Sequence, residues 1–81
     1  MPPILREAQL ETVEAGPKVI GKMISELQLR NETGASIVGI DRQGESIVNP
    51  RPSEELEKGD RILLLGNSEQ LESARKLLAA S

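Results

Sequence analysis

No Phe, Tyr or Trp occurs anywhere in the 81 residues, so any core must be assembled from Ile, Leu, Val and Ala. Aromatic rings carry much of the buried area in small cores. Ordering each residue costs about 1.5 kcal/mol, which leaves a short aliphatic chain a thin margin that pairing with a second copy would widen. One domain is expected from the length, and a homodimer from the composition.

The missing residue types also exclude chemistry. With no Cys and no His, disulfides, thiolate metal sites and cysteine nucleophiles are ruled out, and general acid–base catalysis lacks its commonest side chain. A serine nucleophile would need a Lys or a paired carboxylate beside it. No such constellation is recognisable, and the chain reads as no enzyme.

Ten basic and thirteen acidic residues give a net charge of −3 without long blocks of either sign. That is no electrostatic footprint for nucleic acid, and platforms for single strands need the rings this chain lacks. No apolar run exceeds that of Ile62 to Leu65, far below the about 20 residues that span a bilayer. A soluble, cytoplasmic body is expected.

Residues 1–6 read as a leader or linker, with Pro2 and Pro3 holding the backbone extended, and residues 7–81 as the domain. Loose alternation predicts a strand from Glu7 to Glu14, stopped by Gly16 and Pro17. Met23, Ile24 and Leu27 recur at helical spacing, and the helix continues with a kink from Leu29 to Thr33, where Gly34 ends it. Ala35 to Arg42 and Glu45 to Val48 form a hairpin about Gln43-Gly44.

Pro50 and Pro52 end the second arm. Ser53, Glu54 and Glu55 cap a single helical turn around Leu56, and Arg61 to Leu65 is read as the central strand, covered on both faces. Asn67 or Ser68 starts a terminal helix to Ala80, with Leu71, Ala74, Leu77 and Leu78 on one side. The sum is an α+β fold, β-α-β-β-β-α, with a four-stranded mixed sheet covered by two helices.

Two local patterns carry no site. Gly21-Lys22 lacks the hydroxyl of a phosphate loop, because Met23 fills that position. Glu54, Glu55, Glu57 and Asp60 are spread by turn spacing and read as a solvated face rather than a metal site.

Val19-Ile20-Gly21-Lys22, Ser25-Glu26-Leu27 and Leu29-Arg30 are followed by Thr33-Gly34-Ala35-Ser36-Ile37-Val38-Gly39-Ile40, then Arg42 and Gly44. Asn49-Pro50, Pro52, Gly59-Asp60-Arg61-Ile62 and Leu65-Gly66 complete the series. In this order and with these gaps, the motifs resemble the RCK carboxy-terminal (TrkA-C) family from about Leu10 to Leu78. The stretch IVNPRPSEELEKGDRILLLG is most similar to the tails of Kef-type cation:proton antiporters.

The resemblance implies a cytoplasmic, ligand-sensing, dimerising regulatory domain of a cation (potassium or sodium):proton antiporter or potassium transport system, joined to a membrane-embedded transport domain. The alternatives are a purely structural dimerisation module and an accessory sensor of a soluble regulator. No resident cofactor is implied, but a small effector such as cyclic di-AMP or another nucleotide is. By the same resemblance, Arg30, Ile37 and either Pro50 or Pro52 match effector-binding positions, with Ile24 on the same apolar wall. Ser36 stands where such relatives carry Asn, and its hydroxyl reaches less far than a carboxamide.

Overall fold

A computed structural model describes residues 8–81; the leader expected at 1–6 and Glu7 lie outside them. Gln43 and Gly44 both take positive φ, 51° and 83°, as a two-residue type I′ turn requires. The turn joins β2 (Ser36–Arg42) to β3 (Glu45–Val48) with Arg42 opposite Glu45. β1 (Gln9–Glu14) and β4 (Arg61–Gly66) complete one sheet in the order β1-β4-β2-β3.

Every strand pair is antiparallel, which corrects the mixed sheet expected from the sequence. β1 and β2 do run in the same direction. β4 inserts between them and opposes both, so no parallel neighbours remain.

The register stacks the core. Val13 and Ile40 both lie opposite Ile62, and Leu64 lies opposite Ile37. Burying such side chains is worth about 1.5–3 kcal/mol each. α3 (Ser68–Leu78) lays Leu71, Ala74 and Leu78 over this face, all buried. Its start is fixed by Asn67, whose Oδ1 accepts from the Gln70 N–H at 2.8 Å while Gln70 Oε1 accepts from the Asn67 N–H at 2.9 Å. This is a reciprocal cap.

α1 (Ile24–Leu27) and α2 (Leu29–Thr33) are two short helices that add Leu27 and Leu29 to the core. The kink between them is Gln28, at φ 52° and ψ 35°. Gly34, at φ 82°, ends α2, with its N–H donating to the Arg30 carbonyl at 2.9 Å.

Two further expectations are corrected. The helical turn around Leu56 is absent: the Ile24 N–H donates to the Glu54 carbonyl, the Leu56 N–H to Lys22 and the Gly21 N–H to Leu56. This backbone pairing, with a bridge between Met23 and Glu55, outweighs the local capping signal. β4 is central but covered on one face only, because the helices gather over Ile62 and Leu64. On its other face Leu65 is 38% exposed, beside Leu10 at 64%.

Candidate functional site

Where the kinked helix meets the start of β2, the chain forms an open groove of about 430 Å³. That lies within the about 300–1,000 Å³ typical of small-molecule sites. The left-handed Gln28 turns α2 away from α1, so Ile24 and Ser25 line one part of the groove and Leu29, Arg30 and Asn31 another. The Gln28 carboxamide holds the corner, donating to the Ser25 carbonyl at 3.2 Å and accepting from Asn31 at 2.7 Å.

Thr33 directs the entry to β2. Its hydroxyl donates to the Leu29 carbonyl at 2.7 Å and accepts from the Ala35 N–H at 3.1 Å. This seats Ala35 in the core and brings Ser36 and Ile37 to the groove as half-buried residues.

The loop after β3 closes the remaining side with Pro50 and Pro52. The Ser25 N–H donates to the Pro52 carbonyl at 2.9 Å, so loop carbonyls cap the first turn of α1.

All five residues singled out by resemblance, Ile24, Arg30, Ser36, Ile37 and Pro50, thus line one groove, and Pro52 joins Pro50 there. Arg30 is the only charged residue among those lining it. It is exposed and takes part in no ion pair among the described residues. An aliphatic and proline wall, one free guanidinium and several neutral amides and hydroxyls suit a ligand with a flat apolar part and an anionic group.

A second polar cluster was missed by the sequence reading. Arg42 donates from Nε and Nη2 to the two carboxylate oxygens of Asp60, from Nη1 to Glu54 and from Nη2 to the Glu55 carbonyl, each at 2.9 Å. Glu57 approaches Nη1 at 3.3 Å. Asp60 is fully buried, which corrects its assignment to a solvated face: Arg42 and the Glu57 N–H, at 2.8 Å, replace the water it gives up. Its burial would push the carboxyl up, but hydrogen bonds from Arg42 and the Glu57 N–H, with the charge of Arg42, hold it below its ordinary range. In turn the Asp60 hydrogen bond outweighs desolvation and holds Arg42 more firmly protonated than usual. Among the described residues no group of three or more acidic side chains could hold a metal ion.

The TrkA-C domain model matches residues 9–79. The chain belongs to the TrkA-C family. This domain is a regulatory module, not a catalytic one.

Among curated relatives, the ammonium/H(+) antiporter subunit AmhM of Alkalihalophilus pseudofirmus is 33% identical over 61 residues, covering 75% of this chain and 36% of AmhM. The probable potassium channel protein 2 of Methanocaldococcus jannaschii is 33% identical over 66 residues, 82% of this chain and 19% of that protein. The chain therefore spans about a third or less of the transport proteins it matches.

The RCK C domain of the potassium transport protein KtrA in complex with cyclic di-AMP superposes with a TM-score of 0.83 at 30% identity, covering 91% of this chain and 87% of that one. The RCK_C dimer of Streptococcus agalactiae BusR, also bound to cyclic di-AMP, gives 0.74 at 30% identity and covers 89% of each chain. BusR in complex with promoter DNA gives 0.75 at 29% identity, with this chain covering 37% of it and 96% of this chain matched. Proteins carrying this domain thus include one bound to promoter DNA as well as transport proteins, so the exclusion of nucleic acid expected from composition does not extend to them. No helix among the described residues is long and apolar enough to cross a membrane.

Proposed function

We propose that this TrkA-C domain is the cytoplasmic effector sensor of a cation transport system, an antiporter or potassium transporter, and that two copies bind a nucleotide effector of the cyclic di-AMP class through the groove described above. The observation that carries the reading is the convergence of Ile24, Arg30, Ser36, Ile37 and Pro50 on one groove whose sole charge is cationic. The KtrA and BusR domains bound to cyclic di-AMP support that ligand class, and the BusR dimer supports a paired arrangement. The antiporter and channel relatives support transport.

The mechanism is differential affinity. An effector that contacts both copies favours the dimer arrangement in which the two grooves meet it well. One with equal affinity for both arrangements would shift nothing. The change in arrangement is handed to the membrane-embedded transport domain of the parent protein. Residues 7–81 are taken as the regulatory unit and 1–6 as its connection.

A second reading, a dimerisation module without an effector, draws on Ser36. Its hydroxyl reaches less far than a carboxamide and carries fewer hydrogen-bonding groups, so it offers the ligand less. Calorimetric titration of the purified chain with cyclic di-AMP, NAD and ATP separates the two. Saturable heat with cyclic di-AMP supports the sensor, and silence across the panel from a chain that is dimeric by light scattering supports the module.

A further inference from the structure

One wall of the groove does not stand alone. Pro50 and Pro52 lie between β3 and β4, in a segment with no helix or strand of its own. α1 hangs on that segment by two bonds, Ile24 N–H to the Glu54 carbonyl and Ser25 N–H to the Pro52 carbonyl, each at 2.9 Å. From its other side the segment is held by Arg42, which does not line the groove: Nη1 meets the Glu54 carboxylate and Nη2 the Glu55 carbonyl, each at 2.9 Å. Glu54 therefore uses its side chain on Arg42 and its main-chain carbonyl on Ile24.

We infer that Arg42 and Glu54 form a positioning pair for the effector groove: they fix Ile24, Ser25 and Pro52 against Arg30 and Ile37, which come from α2 and β2. The inference rests on the effector reading above and adds to it residues that never touch the ligand. Arg42 is anchored independently, by the two-bond fork to Asp60, so it can hold Glu54 in place rather than follow it.

Glu57 supplies an internal control. Its carboxylate also reaches Arg42 Nη1, at 3.3 Å, but its main chain bonds only to Asp60, donating to Oδ2 at 2.8 Å and accepting from the Asp60 N–H at 3.1 Å. Loss of Glu57 removes a comparable charge from Arg42 without releasing α1.

The test compares the wild-type chain with Glu54→Ala and Glu57→Ala. Titration with cyclic di-AMP should show Kd raised about fivefold or more by Glu54→Ala and changed less than about twofold by Glu57→Ala, the scale of residues that modulate a site from outside it. Without ligand, the backbone amide resonances of Ile24 and Ser25 should move in Glu54→Ala and stay in Glu57→Ala. Wild-type binding that Glu54→Ala leaves intact, or equal weakening by both variants, overturns the pair. If the wild type binds no cyclic di-AMP, the effector reading fails for that ligand and the amide resonances still decide the inference: unmoved Ile24 and Ser25 signals in Glu54→Ala reject it.

Discussion

Arg42 closes a two-bond fork on Asp60, Nε to Oδ1 and Nη2 to Oδ2, each at 2.9 Å, with the carboxylate fully buried. The fork ties β2 to the residue that precedes β4, across 18 positions of sequence. Breaking a buried pair by removing one partner leaves the other uncompensated, at about 3–5 kcal/mol. Arg42→Ala, which strands the buried Asp60 carboxylate without its cation, should therefore lower stability in urea titration by about that much. Arg42→Lys should also destabilise, because an ammonium cannot reproduce the planar fork.

The same carboxylate sets a pH dependence. Its folded value lies below the ordinary one, so the unfolded chain takes up the proton first. The stability Asp60 contributes is complete above its unfolded value of about 3.9 and is lost as pH falls below it toward the folded value. Urea midpoints at pH 6, 4 and 3 should drop on acidification, and the drop should be smaller in Asp60→Asn, which has no carboxyl to titrate.

How much of this was legible in the sequence differs by element. The hairpin turn at Gln43-Gly44, the helix stop at Gly34 and the amphipathic α3 were all readable, because each is decided within a few residues. The kink at Gln28 was expected between Leu27 and Leu29. The central place of β4 was readable from its apolar run, but the directions of its neighbours were not, since they are decided only by long-range pairing. Ser53-Glu54-Glu55 carried a helix-capping signal that the backbone bonds to Lys22 and Ile24 overrode. Asp60 looked like one more acid in a charged turn because its partner lies on a different strand. The five groove residues came from resemblance: spacing alone does not bring Ile24, from α1, and Pro50, from the loop, to the same cavity.

Gly16 is a steric requirement. A Cβ there would lie 2.7 Å from the backbone carbon of Ala79 and 2.7 Å from the Ala80 carbonyl oxygen, and the Gly16 N–H already donates to the Leu78 carbonyl at 2.8 Å. Gly16→Ala must push the end of α3 away, at a cost of about 1–3 kcal/mol typical of overpacking. Thermal unfolding followed by circular dichroism should show a lower Tm.

At the other end of α3, Asn67→Ala removes the acceptor for the Gln70 N–H. Loss of such a cap costs about 1 kcal/mol. Neither Asn67 nor Gln70 lines the groove, so the urea midpoint should fall while the Kd for cyclic di-AMP changes less than in Arg30→Ala.

The measurement that tests the effector groove most directly is a paired calorimetric titration of cyclic di-AMP into wild-type and Arg30→Ala chains. Arg30 is exposed and outside every described ion pair, so its removal should leave the fold intact while the ligand loses a charge-assisted contact, worth about 1.5–3 kcal/mol. Saturation at one ligand per two wild-type chains, with binding weakened about tenfold or more in Arg30→Ala, is the predicted result. Equal binding by both chains would contradict it, as would a wild type that takes up no cyclic di-AMP.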